Sequence, residues 1–294
     1  MITNLLITGA NGQLGNELRQ LVTSYPNFHF IFTDVETLDI CDKEALNEFL
    51  IEQPVQFIVN CAAYTAVDKA EEDAERCYAI NRDAVRNLAE AAATHGSKMI
   101  HISTDYVFSG KAFRPYTEEM PLSPDTIYGK SKAEGEQAML DHCPESIILR
   151  TSWLYSSFGN NFVKTMIKLG REKEILKVVY DQIGTPTYAA DLASAILEII
   201  RQSIEHPDYF KPGIYHYSNE GICSWYDFAV TIHRLAHIQC RVQPVPSEAY
   251  PAKAPRPFYS VLSKQKFKDT FHLSIAHWET SLEKCIPLIM NEID

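Results

Sequence analysis

The stretch NLLITGANGQLGNEL, residues 4 to 18, constrains the fold more than any other part of the chain. An apolar run reads as a strand, a helical pattern follows, and Gly9, Gly12 and Gly15 stand at the junction. There the missing side chains let backbone N–H groups, those of Asn11, Gln13 and Leu14 among them, approach a pyrophosphate. A glycine triplet proves little alone, but its surroundings add to it. Asp34 ends the second strand-like run, 19 residues beyond Gly15. An acidic residue in that place meets the ribose hydroxyls of a bound dinucleotide. Its carboxylate accepts from a free 2′-OH and repels a 2′-phosphate, which favours NAD over NADP.

The rhythm of the first half extends this start. NLLIT (4–8), FHFIF (28–32), FIVNC (57–61), MIHIS (99–103) and SIILR (146–150) read as strands, with helices predicted at 13–24, 42–52, 73–95 and 128–141. Continuous apolar strands separated by helices imply parallel β-structure buried on both faces, a doubly wound sheet. Beyond about residue 155 helices are predicted at 160–171, 188–203, 224–237 and 276–290. Proline-bearing stretches such as HPDYFKPG and VQPVPSEAYPAKAPRPF separate them. Prolines so placed suggest irregular connections that wrap a site rather than a second regular sheet. The chain therefore divides into a dinucleotide-binding unit, 1–152, and a mainly substrate-binding lobe, 153–294, with segments returning to the first unit.

Composition removes several classes of function. A formal net charge of −11 opposes binding to nucleic acid, which rewards clustered Lys and Arg. No uncharged apolar run reaches the roughly 18 to 20 residues of a membrane span, and the first residues lack a basic leader, so a soluble cytoplasmic protein is expected. Seven scattered cysteines without a CxxC suggest small buried hydrophobes rather than a disulfide framework or a zinc clasp. His233 and His237 have the i, i+4 spacing of a helical metal pair but no Glu between them and no third ligand, so no metal is expected.

The chemistry gathers after the fourth strand. STDYVFSG supplies Ser103, Thr104 and Asp105 at the carboxyl edge of a parallel sheet, where such sheets bind ligands. DTIYGKSKAEGEQ then places Tyr128 and Lys132 on one helical face, about 6 Å apart at Cβ. Thr104, Tyr128 and Lys132 together resemble the catalytic set of the short-chain dehydrogenase/reductase superfamily. By that resemblance Tyr128 hands a proton to the developing alkoxide, Thr104 hydrogen-bonds the carbonyl oxygen and Lys132 holds the nicotinamide ribose. A tyrosine ionises near pH ~10, and the Lys132 ammonium is expected to lower that value toward the working pH.

Six stretches sharpen the likeness: NCAAYTAVDKAE, STDYVFSG, YGKSKAEGE, LRTSWLYSSFGNNFVKTM, VYDQIGTPT and APRPFYSVL, spread in order over almost the whole chain. They resemble the dTDP-4-dehydrorhamnose reductase family, of the extended branch of that superfamily. The resemblance implies an α/β fold, Rossmann-like, with a smaller, interleaved C-terminal substrate-binding lobe. It implies reduction of the C4 ketone of dTDP-4-dehydro-L-rhamnose by NADPH, with NADH also accepted. Ala62, Ala63 and Tyr64 then border the cofactor, and Asp39 with Ile40 flanks the adenine. Thr65 and Val67 lie toward the sugar, Asp105, Tyr106, Trp153 and Asn161 line the sugar-nucleotide pocket, and Arg256 meets the diphosphate. An arginine suits that last role because its planar fork binds phosphate oxygens bidentately. Some family members are associated with magnesium at a dimer interface. Here Glu17 matches one ligand, but Asp191 is shifted and lacks a paired acid, so a homodimer is left open and a bridging metal is not expected. Two alternatives share the same residues: a reductase or epimerase of another nucleotide sugar, and a non-catalytic regulatory subunit.

Overall fold

The structure is a computed structural model that describes residues 2–250 and 252–293. Its first half alternates strand and helix: β1 (Thr3–Thr8), α1 (Gln13–Gln20), β2 (Phe28–Phe32), α2 (Lys43–Glu52), β3 (Phe57–Asn60), α3 (Val67–Ala70), α4 (Ala74–Tyr78), α5 (Ala84–His95), β4 (Lys98–Thr104), α6 (Ile127–His142) and β5 (Ile147–Thr151). The strands follow the apolar runs because each is buried on both faces; Leu5, Leu6, Ile7, Ile58, Val59, Ile100, Ile148 and Leu149 are inaccessible to solvent. Side-chain caps help set the helix starts: Asp42 accepts from the Ala45 N–H, and Thr126 from the Gly129 N–H.

The second half adds β6 (Leu154–Tyr155), α7 (Phe162–Glu172), β7 (Ile175–Val179), β8 (Ile183–Gly184), β9 (Thr187–Tyr188), α8 (Ala189–Glu205), β10 (Gly213–His216), β11 (Cys223–Ser224), α9 (Trp225–Leu235), β12 (Arg241–Val245), α10 (Gln265–Phe271) and α11 (Trp278–Ile293). The central sheet has six strands in the order β10-β5-β4-β3-β1-β2, and every neighbouring pair runs parallel. One face is covered by α1, α8 and α10, the other by α2, α5 and α6. A second core, built from Tyr155, Val163, Ile167, Phe228, Ile232, Leu282 and Ile286, lies among α7, α9 and α11. The parallel doubly wound sheet expected from the sequence is thus present.

Three local differences matter. GIYH, not expected as a strand, becomes the sheet's sixth because β10 pairs with β5. Pro244 sits inside β12, which pairs only with β7; a proline is tolerated on such an edge because no ladder needs its missing N–H. The helix predicted at 73–95 is interrupted by a π-turn at Ala79–Asp83. That turn lets backbone reach α6, where an added Cβ on Gly135 would lie 2.0 Å from the Asn81 carbonyl oxygen. Among the described residues no helix is long and apolar enough to cross a membrane.

Candidate active site

The order of the sheet reverses between β1 and β3, so the connections leaving their carboxyl ends diverge to opposite faces and open a crevice. A cleft of about 1690 Å³ occupies it, running from the glycine turn to the second core. Gly9, Gly12, Gln13 and Leu14 line one end. Gly9 has a left-handed φ of 63°, and a Cβ there would lie 2.6 Å from the Ala62 backbone; one on Gly15 would lie 2.5 Å from Ala10 Cα. The turn therefore admits only glycine at both places. Gly12 caps α1 without a side chain, which leaves the first helical N–H groups free for an anion. These features fit the pyrophosphate of a dinucleotide.

Beside the glycine turn Asp34 accepts from the backbone N–H groups of Asn11 and Val35, both at 2.9 Å. Asp39 is exposed, whereas Ile40 is buried with Leu46 and Leu50. Ile40 is thus core rather than wall, because the chain after β2 drops an apolar side chain under α2.

Along the middle of the cleft lie Ala63, Thr65, Val67, Ile102, Thr104, Asp105, Tyr106, Tyr128 and Lys132. Thr104, from the end of β4, and Tyr128 and Lys132, from the first turns of α6, are all buried. The start of α6 is held by the Thr126 cap, and its middle by Glu136, which pairs bidentately with Arg150 of β5 at 2.9 and 2.6 Å. The Asn81 side chain of the π-turn bonds both the N–H and C=O of Tyr64 and reaches Ser131 of α6. The loop after β3 is thereby locked against α6 beside the cleft.

The electrostatics differ from the sequence expectation. Burial pushes the Tyr128 phenol well above its ordinary value, only partly offset by a hydrogen bond with Thr104. Burial pulls Lys132 down to about 8, with Glu136 and Cys77 opposing it. Desolvation thus outweighs any lowering of the phenol by the amine, and Tyr128 is held as a neutral phenol. Asp105, also buried, is raised to about 6, with hydrogen bonds from Ser260 and Thr104 opposing the rise. Its Oδ1 accepts the Thr104 hydroxyl proton at 3.1 Å.

The far end holds Trp153, Phe162, Lys177, Gln182, Trp225, Lys253 and Arg256. Trp153 has a left-handed φ of 49°, strained for a bulky residue, and stacks on Trp225 with centroids 3.5 Å apart. The SWYDF motif, whose Ser224 and Asp227 form a capping box, positions Trp225; sequence reading passed over it. Asn161 is not on the wall. It caps α7 through Lys164 N–H and donates to Gln13 Oε1 and the Ser156 carbonyl, while Asn160 lines the cleft. Arg256 lines the cleft with its guanidinium already on Asp68.

Glu17 of α1 and Asp191 of α8 lie near each other. The Glu17 carboxyl is raised by burial, with Asp191 adding to it and Ser156 Oγ, 2.6 Å away, opposing. Asp191 accepts from Asn219 and Ser281. Among the described residues no group of three or more His, Cys, Asp or Glu side chains is arranged to hold a metal. His233 is buried, with ring nitrogens 3.2 and 3.0 Å from the carbonyls of Cys240 and Met166. Five cysteines, 77, 143, 223, 240 and 285, are buried.

Residues 3–290 match the family model described as RmlD substrate binding domain. A dTDP-4-dehydrorhamnose reductase of Aggregatibacter actinomycetemcomitans is 42% identical over 288 residues, 96% of this chain and 98% of that protein. A crystal structure of a dTDP-4-dehydrorhamnose reductase from Clostridium acetobutylicum superposes with a TM-score of 0.93 at 45% identity, covering 98% of this chain and 100% of that one. The Bacillus anthracis dTDP-4-dehydrorhamnose reductase, solved in complex with NADP, gives 0.92 at 41% identity, over 98% of this chain and 99% of that one.

Proposed function

The chain belongs to the family of the RmlD substrate binding domain, that of the dTDP-4-dehydrorhamnose reductases, and from that premise we propose how its own residues perform the reduction. The reaction converts the C4 ketone of dTDP-4-dehydro-L-rhamnose to the alcohol of dTDP-L-rhamnose, the closing step of that sugar nucleotide's synthesis, with NADPH or NADH as reductant. The observation that carries this reading is the meeting of Thr104, Tyr128 and Lys132 in the cleft whose other end is the glycine turn. When bound, the reduced nicotinamide supplies the hydride to C4. Tyr128, held neutral by burial, donates its proton to the ketone oxygen as negative charge develops there. Thr104 Oγ1 orients the same oxygen, and Lys132 holds the ribose. Gly9, Gly12 and the open start of α1 hold the pyrophosphate. Trp153 and Trp225 offer a flat apolar wall for the sugar nucleotide, and Arg256 its diphosphate contact.

Asp34 faces the ribose position with backbone partners on its carboxylate, which leaves NADH usable beside NADPH. A charged dinucleotide and a nucleotide sugar do not pass a bilayer unaided, so a cytoplasmic site fits the reaction. The test is direct. The purified chain is mixed with dTDP-4-dehydro-L-rhamnose, NADH and NADPH oxidation are followed separately by absorbance, and the sugar is identified by NMR. Formation of dTDP-L-rhamnose is expected; no oxidation of either cofactor, or a C4 epimer as product, would overturn the assignment.

A further inference from the structure

Beside Lys132 runs a buried chain of polar groups that the reaction itself does not use. Lys132 Nζ donates to the Ile102 carbonyl at 2.7 Å and lies 3.2 Å from His101 Nε2. His101 Nδ1 in turn lies 3.0 Å from Asn60 Nδ2. Asn60 Oδ1 accepts from the Ala62 backbone N–H at 3.1 Å and from the Thr8 hydroxyl at 2.7 Å. His101 and Asn60 are inaccessible to solvent.

The direction of each hydrogen in this chain can be worked out from one end. A backbone N–H can only donate, so the Ala62 contact fixes which Asn60 atom is the oxygen. The Asn60 amide nitrogen therefore faces His101 Nδ1, and because it too can only donate, Nδ1 is the bare nitrogen. A neutral imidazole then carries its proton on Nε2, pointing at Lys132. An ammonium would oppose that N–H with hydrogens of its own. A neutral amine instead accepts from it with its lone pair and still donates to Ile102.

We propose that His101 is a positioning residue that weakens the hold of Lys132 on its proton: as the Nε2–H tautomer it donates to the Lys132 amine, which at alkaline pH is neutral before the cofactor docks and takes up a proton as it does. Burial favours the same state, pulling Lys132 to about 8 and holding His101 well below its ordinary range. Of the titratable groups that act on Lys132, Cys77 comes from α4 and Glu136 from α6 itself, while Asp105, just after β4, bears on Tyr128 instead. Glu136 is committed to Arg150 of β5. Arg82 and Asp83 of the π-turn pair with each other, Glu90 of α5 pairs with Lys43, and Asp68 of α3 with Arg256. None of these supplies Lys132 with a free counter-ion; a dinucleotide diphosphate in the cleft adds negative charge and favours the ammonium.

The inference rests on the cofactor reading of the cleft, and the experiment separates the two. NADH, which lacks a titrating 2′-phosphate, is titrated into the full chain by calorimetry in buffers of differing ionisation enthalpy. Uptake approaching one proton per cofactor is expected at about pH 9, falling away below about pH 8, where Lys132 is already charged. Asn60→Asp presents a carboxylate to Nδ1, draws the proton there and leaves Nε2 as an acceptor for an ammonium. His101→Gln offers an amide oxygen in the same place. Both variants are expected to lose most of the uptake while still binding NADH. Nitrogen-15 NMR of histidine-labelled protein, with His101 assigned by its loss in His101→Gln, is expected to place the proton on Nε2 before NADH is added. A proton on Nδ1, a binding enthalpy independent of buffer in the wild type, or unchanged uptake in both variants overturns the proposal. Failure of NADH to bind at all overturns the reading of the cleft, while the tautomer measurement still decides this one.

Discussion

The Arg256 guanidinium meets the Asp68 carboxylate at 2.5 Å across the mouth of the cleft, joining the 252–257 segment to α3. Burial would raise the Asp68 carboxyl, but hydrogen bonds from the Ala254 N–H and Arg256 outweigh it and hold the group below its usual range. A diphosphate that binds Arg256 must therefore compete with Asp68. Arg256→Ala is expected to raise KM for the sugar nucleotide about tenfold to a hundredfold, the worth of a charge-assisted contact, with a smaller change in kcat. Asp68→Asn, which frees the fork, is expected to lower KM. Steady-state kinetics that leave KM unmoved in Arg256→Ala would remove this residue from the binding site.

Tyr128→Phe keeps the buried ring and removes the donor. A fall in kcat of roughly a hundredfold to ten-thousandfold is expected, with NADPH affinity measured by fluorescence largely kept. Because burial raises the phenol well above its ordinary value, its donor form persists through the neutral and mildly alkaline range. The rate of reduction should therefore show no alkaline loss attributable to Tyr128 below about pH 10. A variant with full activity would assign the proton to another group.

Asp105 has its pKa raised by burial to about 6, so its ionised form costs stability in the fold. That cost is absent below the unfolded value, near 4, and grows as pH rises through about 6. Asp105→Asn keeps an acceptor for Thr104 and is expected to gain up to about 3 kcal/mol near neutral pH but little at pH ~4. Thermal unfolding of both proteins across that range reads the difference. Equal Tm gains at both ends would show that the gain does not come from ionisation.

Gly135 sits inside α6, where exchanging glycine for alanine ordinarily gains about 1 kcal/mol. Here the new methyl would fall 2.0 Å from the Asn81 carbonyl oxygen. Gly135→Ala is expected to reverse the usual sign, costing about 1–3 kcal/mol in urea unfolding. It should also lower kcat, since Asn81 holds both Tyr64 and Ser131. A stabilised variant would mean that the π-turn does not press on α6.

Much of this protein is local and so was legible in its residues. Strands at 28–32 and near 4–8 follow from apolar runs, the cradle from Gly9 and Gly15, and the pairing of Tyr128 with Lys132 from four-residue helical spacing. Each depends on contacts within a few residues or on a period repeated along the chain. What only the tertiary structure decided depends on partners far apart in sequence. The π-turn answers to Gly135, Trp153 to Trp225, Arg256 to Asp68, and β10 finds its place only beside β5. The sign of the electrostatics belongs to the same class. The residues alone suggested an amine lowering a phenol, but burial raises Tyr128 and lowers Lys132 together, because desolvation is set by everything packed around a charge and not by its neighbour on the helix.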